Sequence, residues 1–288
     1  MKYRFIRDHK HQHRLFKLCR VLRIARTSYH SWLHRIPGKR EQENQMLLEK
    51  IKRVYEKSRK TYGSPRITDE LREKGYTCSR PRVARLMRKH NIRAKTKRKF
   101  KVTTPSNHKY PLSPDLVNQN FSATAPNEFW TSDITYVRTR QGWLYLTVIL
   151  DVFNRQIVGW SMSNTLKAND TTIPALKDAY SRKRPGTGLI FHSDRGVQYA
   201  GHDFRRLLKK YKMTQSMSGK GNCYDNAITE SFIKTLKTEL IYFENYQTRK
   251  QAQSSIFEYI EIFYNRERKH SSLDNKTPDE YLKLNEAA

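Results

Sequence analysis

FWTSDITYVRT at residues 129–139, WLYLTVILDVF at 143–153 and RQIVGWSMS at 155–163 follow one another, separated by turn-type breaks at Gln141-Gly142 and Asn154-Arg155. Short runs of β-branched and aromatic residues bounded by Gly and Asn predict strands, and breaks this short predict a three-stranded meander. One residue is out of place. Asp133 lies in the middle of the first run, where an ionised carboxylate is costly unless it is paired or bound to a cation.

Further along, helix and strand signals alternate. A helix is predicted from about residue 170 to 183, then the short apolar strand GLIFHSD (188–194), the helix HDFRRLLKKYK (202–212), the strand MTQSMS (213–218) and a helix within GNCYDNAITESFIKTLKTEL (221–240). The order βββαβαβα predicts a ribonuclease-H-like α/β catalytic domain, a mixed five-stranded sheet with helices. In that topology the first and fourth strands are neighbours, so Asp133 and Asp194 converge.

The last helix supplies a third acid. At about 100° per residue, Ile228, Phe232 and Leu236 share the packing side, whereas Glu230 lies on the polar side with Lys234 and Lys237 four and seven positions on. On the helix alone this trio reads as an i,i+4 salt bridge worth a few tenths of a kcal/mol. Two aspartates nearby change that reading. Sixty residues separate Asp133 from Asp194 and 35 separate Asp194 from Glu230, and three carboxylates sharing one pocket raise one another's pKa unless hard cations neutralise them. The expectation is that Asp133, Asp194 and Glu230 are both the catalytic residues and the ligands of two Mg²⁺ ions, with Mn²⁺ as the alternative metal, set up for in-line phosphoryl transfer.

Charge points to the substrate class. The 288 residues carry 57 Lys and Arg against 27 Asp and Glu, a formal +30. Residues 1–110 hold 33 basic and 8 acidic side chains, the rest 24 and 19. A basic front half joined to a nearly balanced back half predicts a module that grips a polyanion backbone, attached to one that needs its own carboxylates. Cys19, Cys78 and Cys223 form no CxxC pair, which excludes a zinc knuckle and a disulfide framework. The longest apolar run, 143–150, is far shorter than a membrane span, and no signal-peptide pattern opens the chain. A cytoplasmic protein, nucleoid-associated when bound to DNA, is expected.

The front half reads as small all-α, helix-turn-helix-like domains. Two short helices are expected within 11–36, the second capped by Thr27 or Ser28. QMLLEKIKRVYEKSRK is amphipathic, Ser64-Pro65 opens the next helix, Gly75 stops it, and Ser79 precedes PRVARLMRKH with Pro81 in its first turn. On that last helix Val83, Leu86 and Met87 make the buried stripe, while Arg82, Arg85, Arg88 and Lys89 face outward toward phosphates. Further DNA contacts are expected from Lys97, Arg98 and Lys99 in KTKRKFK, from Lys220 in a glycine-bearing loop, and from Lys234. Asp225 is expected to cap the Glu230 helix, and Asp151 to cap a turn. In the tail, Thr277, Pro278 and Glu280 have capping-box spacing. The predicted organisation is an N-terminal helical segment 1–40, a helix-turn-helix-like DNA-binding domain 41–100, a basic Pro-rich linker 101–125, the catalytic core 126–242 and a helical tail 243–288.

WTSDITYV, HSDRGVQY and YDNAITESFIKTLKTE, with YGSPRITDELREKGY in front and YNRERKHSSLDNKTPDEY behind, resemble the orfB-type transposases of bacterial insertion sequences, members of the retroviral-integrase-like DDE superfamily. The resemblance covers nearly the whole chain. It implies Asp133, Asp194 and Glu230 as the catalytic triad and Lys237 as a DNA contact near the cleavage site. It also implies Mg²⁺-dependent 3′-end cleavage and strand transfer on double-stranded DNA, both terminal inverted repeats and target, by a homo-oligomer on paired ends, fused to or associated with an upstream helix-turn-helix/leucine-zipper protein. Two other readings stay open from the residues: a structure-selective nuclease of the same fold, and a DNA-binding regulator of transposition.

Overall fold

The computed structural model describes residues 1–34, 36, 38–95, 112–117, 120–219 and 227–286. Three helices, α1 (Lys2–His9), α2 (Leu15–Val21) and α3 (Arg26–Leu33), close around Ile6, Leu18, Cys19 and Tyr29. Neither Thr27 nor Ser28 caps α3: the helix starts at Arg26, with Ala25 at the N-cap position and no side-chain cap. Helices α4 (Lys39–Lys57), α5 (Ser64–Glu73) and α6 (Arg80–Lys89) enclose a second core of Leu47, Ile51, Val54, Ile67, Leu71, Val83 and Met87. Local chemistry sets their ends. Gly75 takes φ +80 just past α5, a conformation that favours glycine, and Ser79 accepts from the Arg82 amide to open α6.

The sheet has the order β3-β2-β1-β4-β5, built from β1 (Phe129–Thr139), β2 (Gly142–Asp151), β3 (Ile157–Ser163), β4 (Ile190–Ser193) and β5 (Thr214–Met217). The first three strands form the antiparallel meander, and β4 runs parallel to both β1 and β5. α7 (Thr172–Lys183), α8 (Val197–Ala200) and α9 (His202–Lys210) cover one face over Trp130, Ile149, Val158, Leu176, Phe191 and Phe204. Gly159 allows that approach: a Cβ there would lie 2.6 Å from Ala179 Cβ and 2.7 Å from the Ala175 carbonyl. Asp151 is buried and accepts from the Asn127 and Phe153 amides at 2.7 and 3.0 Å, which makes it the turn cap its position predicts.

On the other face, α10 (Ala227–Glu239) and α11 (Arg249–Glu258) pack over Val137, Leu144, Leu146 and Val148. α11 opens on Thr248 and passes directly into a π-helix, Tyr259–Glu267, whose Tyr259, Ile260, Phe263 and Tyr264 join the same core. The tail ends in α12 (Pro278–Glu286). Its capping box is complete, with the Thr277 amide donating to Glu280 at 2.9 Å and the Glu280 amide to Thr277 Oγ1 at 3.1 Å.

The tail also reaches the helix-turn-helix-like unit. Lys269 pairs with Glu70 and Glu73 of α5, its amide meets the Tyr62 hydroxyl at 2.8 Å, and Arg59 pairs with Glu258 at 2.6 Å.

Candidate active site

β1 and β4 pair in parallel from Phe129↔Ile190 to Ser132↔Ser193. Asp133 and Asp194 are the next residue on each strand. Chains that run parallel in a common register place successive residues side by side, so the two carboxylates occupy adjacent positions where the β4 ladder ends. Asp133 is opposite Val148, a member of the core under α10. Ser132, one residue earlier, faces the other side of the sheet, where it donates to the Val148 carbonyl at 2.9 Å and meets the Tyr199 hydroxyl at 2.8 Å.

Burial and charge act together on this pair. Asp133 is half-buried, and its carboxyl is pushed up to about 8, by desolvation first and then by the charge of Asp194, with Glu230 adding to the effect and Lys237 opposing it. Asp194 Oδ1 accepts from the Gly196 amide at 2.9 Å. Gly196 has no side chain to clash with it: a Cβ there would lie 2.9 Å from Asp194 Oδ1.

α10 is tied to this end of the sheet by one buried contact, Thr229 Oγ1 donating to Thr131 Oγ1 at 2.6 Å. The wheel reading of α10 matches its packing, with Phe232 and Leu236 buried, Ile228 packed against the core and Glu230 exposed. Among the described residues no ion pair joins Glu230 to Lys234, so the bland reading of the trio as a surface salt bridge is not realised. Lys237 is half-buried and its ammonium is lowered by desolvation, while the Asp133 charge acts to raise it. Lys237 is therefore within electrostatic reach of Asp133. Lys234 is exposed.

Asp133 and Asp194 are thus brought together, and Glu230 stands within electrostatic reach of Asp133. The three are not gathered tightly: among the described residues no group of three or more His, Cys, Asp or Glu is close enough to hold a metal ion. The donor chemistry nevertheless fits a divalent cation. Two adjacent carboxylates, one pushed toward its protonated form by desolvation and by its neighbour's charge, offer hard oxygen ligands where a cation replaces a proton.

Of the basic residues expected to meet DNA, Arg85, Arg88 and Lys89 are exposed on α6. Arg82 is not an outward-facing contact. It turns back to α4, donating to Asn44 at 2.8 Å and pairing with Glu43 at 3.3 Å, because an arginine in the first turn of α6 lies against the start of α4. Lys97, Arg98, Lys99, Lys220 and Asp225 lie outside the described residues. His192, next to Asp194 in the motif, is buried and bonded through Nδ1 to Ser216 at 2.9 Å.

The sequence reading missed a buried ion pair at the far end of α10. Arg268 clasps Glu239 at 2.8 and 2.9 Å, with side chains only 7% and 9% exposed, and the Tyr259 hydroxyl donates to the same carboxylate at 2.7 Å. Arg268 stands within the quoted tail motif, but its partner is 29 positions upstream and no local pattern links them.

Comparison with known proteins agrees with this architecture. Family models described as integrase core domains match residues 123–223 and 211–278, and an HTH-like domain model matches residues 41–100. The uncharacterized 31 kDa protein of insertion element IS600 from Shigella sonnei is 45% identical over 261 residues, 91% of this chain and 96% of that protein. Transposase InsF of insertion sequence IS3A from Escherichia coli K12 is 40% identical over 287 residues, 99% of each chain. Among solved structures, the HTLV-2 integrase catalytic core domain in complex with magnesium aligns with a TM-score of 0.43 and 19% identity, covering 56% of this chain and 99% of that one.

Proposed function

This chain belongs to the insertion-sequence transposases related to InsF of IS3, a DDE-type polynucleotidyl transferase with an integrase core, and from that premise we propose that it cuts the 3′ ends of its element and joins them to target DNA at Asp133, Asp194 and Glu230. The single observation that carries this reading is the placement of Asp133 and Asp194 side by side on adjacent strands, each one residue past the last β1–β4 pair, with the Glu230 helix fastened to β1 through Thr229 and Thr131.

Asp133 and Asp194 would hold divalent Mg²⁺, or Mn²⁺ in its place, with the exposed Glu230 side chain completing the ligand set. Bound there, the ions lower the pKa of an attacking water or 3′-hydroxyl and offset the charge on the leaving oxygen. The chain's own residues do the rest. The Gly196 amide orients Asp194, and the Ile134 amide, 2.7 Å from Asp133 Oδ1, orients Asp133. Lys237, half-buried beside Asp133, supplies a fixed positive charge against the phosphodiester. The exposed Arg85, Arg88 and Lys89 of α6 hold the backbone of double-stranded DNA, terminal repeat or target, at the helix-turn-helix-like unit. The chain works as a homo-oligomer on paired ends, in the cytoplasm, fused to or associated with an upstream DNA-binding protein.

Asp194→Asn tests the reading on labelled element ends with Mg²⁺, the products mapped strand by strand. Cleavage and joining should both vanish while salt-sensitive DNA binding persists. Retention of both activities removes these carboxylates from the chemistry, and cleavage by the wild type without any joined product favours a nuclease.

A further inference from the structure

β4 and β5 end at Ser193 and Met217, but β1 and β2 continue together to the turn at residues 140–141. The hairpin therefore projects beyond the two aspartates, and past Ser132 the β1–β4 pairing has ended. Val137, Leu144 and Leu146 point from this projection into the core under α10 and α11. Strand alternation then turns Tyr136, Arg138, Trp143 and Tyr145 to the opposite face. There they stand in register as a tile, Tyr136 across from Tyr145 and Arg138 across from Trp143.

Three observations set this tile apart from ordinary hairpin packing. The rings interlock edge to face, Tyr136 with Tyr145 at 5.1 Å and with Trp143 at 6.1 Å, yet none of the three belongs to a hydrophobic cluster among the described residues. Trp143 is 49% exposed and Arg138 is exposed, an arrangement that leaves ring faces and a guanidinium open to a ligand. Tyr136 also stands three residues past Asp133 on β1, on the other side of the strand and across the β1 edge that is free once the β4 pairing ends; its hydroxyl is raised by desolvation first, then by Tyr145, and then by the charges of Asp133 and Asp194.

Cross-strand aromatic pairs stabilise hairpins in their own right, but that role requires neither an open indole nor an arginine within the tile. Aromatic faces beside a guanidinium are the chemistry that binds nucleotides, the rings stacking on bases and the cation meeting phosphate. In a chain of net charge +30, the occupant that fits such a surface next to a pair of phosphodiester-processing carboxylates is DNA with its bases accessible.

We propose that Tyr136, Arg138, Trp143 and Tyr145 form a platform that stacks unpaired bases of the DNA strand whose scissile phosphate lies at Asp133 and Asp194. The platform rests on the function proposed above and adds to it a preference for locally opened duplex. It is tested without metal and without turnover, by fluorescence anisotropy of the full-length chain. Two probes are used: a duplex whose last three nucleotides of one strand are unpaired, and the same duplex fully paired.

Wild type should bind the opened duplex more tightly, and Trp143→Ala should weaken that binding about tenfold, the loss of roughly one stacked base. On the paired duplex the variant should lose less than about twofold, and Trp143→Phe should restore most of the preference, because a ring remains to stack on. 2-Aminopurine in the unpaired stretch should be quenched by wild type and not by Trp143→Ala. Equal affinity of wild type for the two duplexes, or an equal loss on both in Trp143→Ala, overturns the platform. So does a Trp143→Ala chain whose sedimentation shows lost self-association at unchanged DNA affinity, which would assign the tile to a second copy of the chain. If wild type binds neither duplex, the DNA-processing reading falls with it; if wild type binds and only the preference is missing, that reading stands.

Discussion

Arg268→Met is the most informative single change outside the active site. It removes one half of an ion pair whose side chains are 7% and 9% exposed, and leaves the Glu239 carboxylate with the Tyr259 hydroxyl as its close donor. Breaking a buried pair from one side typically costs about 3–5 kcal/mol, since the remaining charge stays desolvated. Two features place this case at the lower end. Arg66 of α5 also senses the Glu239 charge, so some counter-charge survives, and the Tyr259 bond is retained. We therefore expect a loss of about 3 kcal/mol, which at roughly 2–4 °C per kcal/mol for a chain of this size lowers the melting temperature by about 6–12 °C. Because an apolar pair of similar volume avoids the desolvation penalty, Arg268→Met combined with Glu239→Leu should recover at least half of the loss. Differential scanning calorimetry of the four proteins in the cycle measures both terms. A single variant within 1 kcal/mol of wild type, or a double variant whose loss is simply additive, refutes the argument that the penalty is an uncompensated charge.

Three further outcomes follow from close approaches and from burial. Gly159→Ala pushes a methyl to within 2.6 Å of Ala179, which forces α7 off β3, and overpacking of this kind costs about 1–3 kcal/mol; chemical denaturation reads the shift. Gly196→Ala keeps an ordinary backbone conformation, φ −61, but sets its methyl 2.9 Å from Asp194 Oδ1; melting should change little while strand cleavage falls about 10- to 100-fold, the usual effect of a carboxylate misplaced by about 1 Å. His270 is held down to about 2 by desolvation and then by Arg268, Arg66 and Arg155, so the unfolded chain takes up its proton first and stability is lost as pH falls below about 6.5. Asp133, raised to about 8, acts the opposite way: the folded chain holds that proton longer, so stability in the absence of divalent ions falls as pH rises from about 4 to about 8. The two effects oppose each other between pH 4 and 6.5, and the Asp133 contribution stands alone from 6.5 to 8. Urea midpoints should fall across that interval in wild type and stay flatter in Asp133→Asn.

Much of the fold is legible because its signals are local. The β1–β3 meander is written in β-branched and aromatic runs, the start of α6 in Ser79 and Pro81, and the start of α12 in the reciprocal bonds of Thr277 and Glu280. α1 carries no such local signal, since KYRFIRDH offers no capping side chain and contributes one buried residue, Ile6. The outward orientation expected for Arg82 failed for a different reason. Periodicity gives the face of a helix, but not what lies next to it, and Asn44 and Glu43 of α4 take the guanidinium. The Glu239–Arg268 pair has no local signal at all, because two residues 29 positions apart become partners only where the π-helix packs against α10, Tyr264 on Phe232 and Tyr259 on Glu239.

The same distinction bears on the three acids. An aspartate in mid-strand and another at a strand's end are each readable as costly, and parallel pairing of β1 with β4 suffices to make them neighbours. Glu230 is different. Its distance from the aspartates depends on how α10 is pinned at both ends, by Thr229 on Thr131 near the site and by Glu239 on Arg268 ten residues later. The tail that supplies Arg268 also holds α5 through Lys269. Consecutive tail residues thus hold both the helix-turn-helix-like unit and α10, Lys269 on Glu70 and Glu73 of α5 and Arg268 on Glu239. Loosening Lys269 should accordingly alter metal-dependent cleavage before it alters the packing around Asp133 and Asp194, because those two are fixed by the sheet and Glu230 is not.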